Sequence, residues 1–127
     1  MAVKEVINNG IILIVDDDEA VAYVTGEMLR RLGYSVQVET ESKLALNAFM
    51  EDPDGFGLII ADQRMPDMKG TEIAEKVLQV RPDMPVIVVS GTSSGTREEA
   101  DGAGVLWLEK PLIKEELSRA VERALRS

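Results

Sequence analysis

The sequence contains no histidine and no cysteine among its 127 residues. The missing cysteines exclude disulfides, thiol nucleophiles and cysteine-ligated zinc or iron–sulfur sites, and they are consistent with a reducing compartment. The missing histidines exclude serine–histidine and cysteine–histidine catalytic pairs and the zinc motifs that contain histidine. Any metal site in this chain must therefore be built from oxygen ligands.

Basic residues are outnumbered, with 14 Lys and Arg against 23 Asp and Glu, which gives a formal net charge of −9. Such a surface repels nucleic acid and anionic membranes, so we expect no direct nucleic-acid partner. No apolar run approaches the roughly 20 residues that span a bilayer, and the opening MAVKEVINNG does not resemble a signal peptide. We therefore expect a cytoplasmic protein that does not insert into membranes.

The length predicts one domain with a hydrophobic core, over residues 1–127. Four short apolar runs, rich in Val, Ile and Leu, predict parallel strands that are covered on both faces. They are IILIV at 11–15, LIIA at 58–61, VIVV at 86–89 and VLWL at 105–108. A fifth segment, SVQVE at 35–39, alternates between apolar and polar residues, which predicts an edge strand.

Apolar residues at spacings of three and four predict helices between these strands. The helical patterns lie at residues 21–32, 42–50, 73–80 and 117–124. Strands that alternate with helices through short connections predict an α/β fold with a parallel sheet of about five strands, flanked by helices on both faces. The serine-, threonine- and glycine-rich segment 90–104 leaves room for at most one further short helix.

Polar side chains follow the predicted strands at the edge where open parallel sheets bind ligands. They are Asp16, Asp17, Asp18, Asp62, Ser90 and Lys110. Carboxylates gathered there raise one another's pKa unless a cation neutralises them. Oxygen ligands suit Mg²⁺, and a lysine and a hydroxyl beside it would hold phosphoryl oxygens. Because the chain has no histidine or cysteine, we expect a carboxylate to attack phosphorus and form an acyl phosphate.

Four motifs, LIVDDDEA, LIIADQRMPDMKG, VIVVSGTS and WLEKPL, resemble in order and spacing the receiver domain of two-component response regulators. The resemblance covers roughly residues 10–126. It implies a flavodoxin-like, doubly wound sheet of five parallel strands in the order 2-1-3-4-5. It also implies a signalling domain rather than a conventional enzyme, which accepts a phosphoryl group from the phosphohistidine of a histidine kinase and then changes conformation.

The resemblance assigns the acidic residues to a phosphoacceptor and a metal site. Asp62 would be the phosphoacceptor and would share Mg²⁺, with Mn²⁺ as an alternative ion, with Asp16 and Asp17. Arg64 would give its backbone carbonyl to the metal. Asp18 has no fixed role in the family, and we place it in the first turn of the following helix, where the helix dipole favours negative charge.

The resemblance also assigns the polar residues of the later strands. Ser90 and Lys110 would each bind a phosphoryl oxygen, and the peptide between Lys110 and Pro111 is expected to be cis. Trp107 stands where the family commonly has an aromatic residue that turns inward on phosphorylation, together with a shift of the hydroxyl that corresponds to Ser90. A static tryptophan packed at the surface is the alternative.

Two further positions and the partners follow from the same resemblance. Arg64 and Thr92, two residues after Asp62 and Ser90, stand where the family tunes the lifetime of the acyl phosphate by admitting or blocking water. The expected partners are a histidine kinase or histidine phosphotransfer protein, as a separate chain or domain, and a downstream output domain or protein. We expect a monomer or weak homodimer, either as a stand-alone receiver or as the receiver domain of a hybrid histidine kinase.

Two other functions stay open from the residues alone. Asp16-x-Asp18 after an apolar strand is also the nucleophile motif of haloacid-dehalogenase-like phosphatases, in which Asp16 would attack and Asp18 would act as acid and base. That class does not explain the segment ADQRMPDMKG. The third possibility is an interaction module with the receiver fold that no longer signals through phosphate, against which the complete acidic, serine and lysine set argues.

Overall fold

The structure is a computed structural model that describes residues 10–91 and 105–126. Its strands are β1 (Ile11–Val15), β2 (Val36–Glu39), β3 (Phe56–Asp62), β4 (Val86–Ser90) and β5 (Leu106–Glu109). Its α-helices are α1 (Glu19–Arg31), α2 (Ser42–Glu51), α3 (Gly70–Val80) and α4 (Lys114–Arg126), and a 3-10 turn covers Pro53–Gly55. Thr92 and the segment 92–104, which includes most of the stretch where one further short helix was expected, lie outside these residues.

All five strands form one parallel sheet in the order β2-β1-β3-β4-β5, which confirms the predicted α/β fold and strand order. The pairing brings the carboxyl ends of the strands level, because Val15 pairs with Ala61, Asp62 with Val89, and Ser90 with Glu109. Side chains that follow β1, β3, β4 and β5 therefore meet at a single edge of the sheet.

An apolar core covers each face of the sheet. On one face Val15 and Val88 pack with Phe49 of α2 and Val77 of α3. On the other face the buried strand residues pack with residues of α1 and α4; these are Ile12, Ile14, Leu58, Ile60, Ile87, Leu29, Leu117 and Val121. Within residues 10–91 and 105–126, no helix is long and apolar enough to cross a bilayer.

The prediction that β2 is an edge strand is confirmed, but the burial of the two outer strands differs in detail from what the sequence predicts. The four residues of β2 are all half-buried rather than alternately buried and exposed. β5 packs against the cores on both faces, through Trp107 on one and Leu106 and Leu108 on the other, but these side chains are half-buried rather than fully covered. The reason is position, because β5 pairs with β4 alone among the described strands and so lies at the edge of the sheet.

The ends of α1 follow from local sequence. Asp18 is the N-cap of this helix and accepts hydrogen bonds from the backbone N–H groups of Ala20 and Val21, at 3.0 and 3.2 Å. It therefore lies one residue before the helix rather than within its first turn, while its carboxylate still benefits from the helix dipole. Gly33 follows the helix with φ of 103°, a conformation that glycine adopts without strain.

Arg81 joins the end of α3 to the beginning of β3, at the edge of the sheet opposite the strand carboxyl ends. Its Nη1 donates to the carbonyl oxygens of Pro53 and Phe56, at 2.9 and 2.8 Å. We expect Arg81→Met to lower the free energy of unfolding in urea by about 1–3 kcal/mol, because two half-buried carbonyls lose a charged donor. Asp83 is the control, because its ion pair with Arg81 is 3.5 Å long and its side chain is 79% exposed. An unchanged stability in Arg81→Met, or an equal loss in Asp83→Asn, would contradict this account.

Candidate functional site

The predicted site residues converge at the carboxyl edge of the sheet. Asp62 is the last residue of β3 and Ser90 the last of β4, while Asp16 directly follows β1. All three are buried, with 5%, 7% and 6% of their surface exposed. Lys110 follows β5 and is held there by its backbone N–H, which donates to the carbonyl of Ser90 at 2.9 Å. The Lys110–Pro111 peptide is cis, as expected.

Asp16, Asp17 and Asp62 form an acidic cluster in which one carboxylate oxygen of each lies within 4.8 Å of the others. Burial raises the pKa of Asp62, and the charge of Asp17 raises it further, against the opposing effect of Lys110. Burial also raises the pKa of Asp16, and the charge of Asp62 adds to the increase. The cluster therefore holds its negative charge at a cost that a bound cation would remove.

Lys110 provides a positive charge beside two of these carboxylates. Its Nζ lies 3.0 Å from Oδ1 of Asp62 and 3.8 Å from Oδ2 of Asp16. Burial lowers the pKa of the Lys110 amine, but the hydrogen bond that it donates to Asp62 and the charge of Asp16 outweigh burial, so the pKa is raised overall. The ammonium group therefore stays charged at neutral pH and can bind an anionic ligand.

The three consecutive aspartates have different local environments. Asp16 Oδ1 accepts the backbone N–H of Asp18 at 3.0 Å, which orients its carboxyl group toward the cluster. Asp17 is exposed, and Asp18 caps α1. The phosphatase alternative is not supported, because the Asp18 carboxylate that it needs as acid and base is occupied by the helix N-terminus.

The acidic cluster fits a hard divalent cation. In an octahedral Mg²⁺ site, ligand oxygens lie about 3.0 to 4.2 Å apart. The three carboxylate oxygens of the cluster lie within 4.8 Å of one another, so small side-chain movements are enough for them to share one ion. Arg64 lies beside it, because its backbone N–H donates to the Asp62 carboxylate while its side chain is exposed. The donor set contains oxygen alone, which agrees with the prediction from the missing histidine and cysteine.

Trp107 is half-buried and packs against the core beneath α2 and α3. Within the described part of the chain its indole Nε1 is buried and has no hydrogen-bond partner. A buried donor without a partner carries a desolvation cost, which would be relieved if the ring moved. The position is thus compatible with a mobile aromatic residue, and the switch role itself stays a prediction.

Sequence reasoning missed the buried polar residues that hold the loop between β3 and α3. Gln63 directly follows Asp62 and is 7% exposed, and its side chain bonds to Thr71. Ser42 is 1% exposed, and its hydroxyl donates to the carbonyl of Met68 at 3.4 Å. The one sequence feature that indicates the Gln63–Thr71 contact is a glutamine directly after a buried strand. No local sequence pattern indicates the contact between Ser42 and Met68.

Comparison with known sequences points to one family. The response regulator receiver domain family matches residues 12–122 of this chain. The two-component response regulator ARR14 of Arabidopsis thaliana is 32% identical over 117 residues, which cover 91% of this chain and 31% of that protein. The DNA-binding transcriptional regulator NtrC of Azospirillum brasilense is 36% identical over 118 residues, which cover 91% of this chain and 24% of that protein. The chain thus spans less than a third of the length of either relative.

Solved structures give the same result. A CheY-like response regulator receiver domain protein from Methanospirillum hungatei is 34% identical with a TM-score of 0.83, and the match covers 92% of this chain and 94% of that one. The receiver domain from the hybrid histidine kinase CckA is 30% identical with a TM-score of 0.78, over 91% of this chain and 99% of that one. The chain therefore belongs to the response regulator receiver domain family and is a receiver domain of two-component signal transduction.

Proposed function

We propose that residues 1–127 form a single receiver domain that accepts a phosphoryl group on Asp62 and signals through the resulting change of conformation. The observation that carries this proposal is the surroundings of Asp62, a buried carboxylate with a lysine amine 3.0 Å away and two further carboxylates within 4.8 Å. This arrangement supplies a nucleophile, a cation for the transferred group and a metal site at one point. The domain acts on itself and is not an enzyme with a separate substrate.

The transfer reaction uses groups that the strand ends already hold in place. A carboxylate oxygen of Asp62 forms a bond to phosphorus while the bond from phosphorus to the donor, the imidazole nitrogen of a phosphohistidine, breaks. Lys110 pairs with one phosphoryl oxygen, and the hydroxyl of Ser90 donates to another. Asp16, Asp17, Asp62 and the backbone carbonyl of Arg64 would hold Mg²⁺, or Mn²⁺ in its place. The ion supplies neutralisation of the charge on the phosphoryl oxygens.

The signal would begin at Ser90 and pass to Trp107. When the Ser90 hydroxyl moves toward a phosphoryl oxygen it leaves space beside β4, and Trp107 on the paired strand is free to move inward and find a partner for its indole N–H. Arg64 and Thr92 would set how readily water reaches the acyl phosphate. Such a change is a shift between two conformations rather than a new fold.

The partners follow from the chemistry. Because this chain has no histidine, the phosphoryl donor must be a histidine kinase or phosphotransfer protein in another chain or domain. The recipient of the signal is a downstream output domain or protein, such as those implied by the greater length of the relatives. We place this chemistry in the cytoplasm, with the domain as a monomer or weak homodimer.

The test is intact mass after incubation with Mg²⁺ and acetyl phosphate. We expect the wild type to gain the mass of one phosphoryl group and Asp62→Asn to gain none. Asp67→Asn is the matched control, because Asp67 is an exposed aspartate in the loop that follows Asp62, and it should be phosphorylated as the wild type is. No gain in the wild type, or a gain that survives in Asp62→Asn, would contradict the proposal.

A further inference from the structure

Gln63 is a buried polar residue that the proposed chemistry does not use. Each of its polar groups has a partner on another element of the fold. Its backbone N–H donates to the carbonyl of Val89 at 2.8 Å, and its carbonyl accepts from Gly70 at 3.4 Å. Its side-chain Oε1 accepts the backbone N–H of Thr71 at 2.9 Å, and its Nε2 donates to Oγ1 of Thr71 at 3.3 Å.

These contacts make Gln63 the point at which the β3–α3 loop, residues 64–69, is closed. The first residues of a helix have backbone N–H groups without partners inside the helix. At α3, Gln63 receives the N–H groups of Gly70 with its main chain and of Thr71 with its side chain. The residue that directly follows the preceding strand thus provides the acceptors that a local N-cap side chain usually provides. The chain leaves β3 after Asp62, and the first residues of α3 return to form hydrogen bonds with Gln63.

The closed loop lies directly against the acidic cluster. The backbone N–H of Arg64 donates to the carboxylate of Asp62. The start of α3 also approaches Asp62, because a Cβ placed on Gly70 would lie 2.7 Å from the Asp62 carbonyl oxygen. A displacement of the first turn of α3 would therefore move the main chain at and directly after the phosphoacceptor.

We infer that Gln63 is a positioning residue: by clamping Thr71 to the end of β3 it fixes the Arg64 peptide beside Asp62, and so it sets the affinity of the acidic cluster for Mg²⁺. This inference rests on the proposed function, in which the Arg64 carbonyl is a metal ligand. Groups that orient metal ligands without touching the metal change metal affinity by about tenfold or more. The alternative is that Gln63 only stabilises the fold.

Three substitutions separate these roles. Gln63→Met keeps the length of the side chain and removes both side-chain bonds, and we expect it to weaken Mg²⁺ binding about tenfold. Thr71→Val removes the bond to Oγ1 and keeps the backbone N–H, so its effect should be smaller. Thr71→Ser keeps both groups and should bind Mg²⁺ as the wild type does.

The measurement is a titration of the ¹⁵N-labelled protein with Mg²⁺ followed by NMR, with urea unfolding of each variant in the absence of metal. In Gln63→Met without Mg²⁺, the amide proton of Thr71 should also exchange with solvent about tenfold faster. Arg81→Met is the matched control, because it weakens the fold at the opposite edge of the sheet and should leave Mg²⁺ affinity unchanged.

The outcomes are distinct. Weaker Mg²⁺ binding in Gln63→Met, with normal binding in Arg81→Met and Thr71→Ser, supports the positioning role. Normal binding in Gln63→Met, or equal weakening in Arg81→Met, overturns it while the proposed function stands. No Mg²⁺ binding by the wild type overturns the proposed metal site and this inference together.

Discussion

Lys110→Met is expected to slow phosphorylation of Asp62 by acetyl phosphate about 10²- to 10³-fold, even when Mg²⁺ is saturating. Lys110 is the one described cation in contact with the Asp62 carboxylate, with Nζ 3.0 Å from Oδ1. A fixed ammonium group at that point meets the charge on the transferred phosphoryl oxygens without any reorganisation of solvent. Methionine keeps the length of the side chain and removes the charge, so the loss would measure the electrostatic contribution.

The same substitution should strengthen Mg²⁺ binding. In the metal-free protein the Lys110 amine forms an ion pair with the Asp62 carboxylate and lies 3.8 Å from that of Asp16, so it competes with a metal cation for both carboxylates. Its removal leaves the acidic cluster with less compensation and a greater affinity for Mg²⁺. The loss of Lys110 also raises the pKa of the carboxyl groups, for which protons compete with Mg²⁺. The titration should therefore be carried out at pH 8, where this competition is weak.

Lys114→Met is the control for the change in net charge, because Lys114 is an exposed lysine in the first turn of α4. It should match the wild type in both phosphorylation rate and Mg²⁺ affinity. The two effects of Lys110→Met, slower transfer and tighter metal binding, have opposite signs, so a general loss of structure cannot produce both. A phosphorylation rate within a factor of ten of the wild type would remove Lys110 from the proposed mechanism.

The sequence predicted the central part of the fold because burial in a parallel sheet leaves a plain record. Strands β1, β3 and β4 are covered on both faces, and they appear as unbroken apolar runs. The edge position of β2 was also predicted, but the degree of burial in the outer strands was not, because it depends on which elements lie beside each edge. Trp107 illustrates this, because it lies in an apolar run that predicts a fully buried strand, and yet it is half-buried on an edge strand.

The site was predictable to the extent that its residues follow strands. Asp16, Asp62, Ser90 and Lys110 are each placed by the end of a strand, so identifying the strands was enough to bring them together. The contacts of Gln63 could not be predicted in this way, because they depend on where a loop of six residues returns. The role of Asp18 as the N-cap could not be predicted either, because it depends on the exact residue at which α1 begins.

Asp16→Asn is expected to make the metal-free protein more stable at pH 7, by on the order of 1–2 kcal/mol, while it weakens Mg²⁺ binding about 100-fold. Asparagine keeps the Oδ1 that accepts the N–H of Asp18 at 3.0 Å, so local geometry should persist. What it removes is a negative charge that is buried beside the charge of Asp62. If the acidic cluster is a functional metal site, Asp16 should lower the stability of the metal-free protein and yet be required for metal binding.

The raised pKa of Asp16 determines how the stability difference between the two proteins should change with pH. Burial and the charge of Asp62 raise the pKa of Asp16 above its ordinary 3.8, so the folded state holds its proton more tightly than the unfolded state does. Stability therefore falls as pH rises from about 3.8 through the raised pKa, and the whole penalty is present above that pKa. The advantage of Asp16→Asn over the wild type should be greatest at neutral pH and should disappear as pH falls through this range.

Urea unfolding at a series of pH values, with and without Mg²⁺, measures both effects. Asp54→Asn is the control, because Asp54 is an exposed aspartate in the 3-10 turn before β3, away from the acidic cluster. It removes the same charge and should leave stability nearly unchanged at each pH. Saturating Mg²⁺ should reverse the order of the two proteins, because the ion stabilises the wild type by an amount set by its affinity and binds the variant poorly. An Asp16→Asn protein that is less stable than the wild type without metal at pH 7 would mean that the contacts of this carboxylate outweigh the cost of burying its charge.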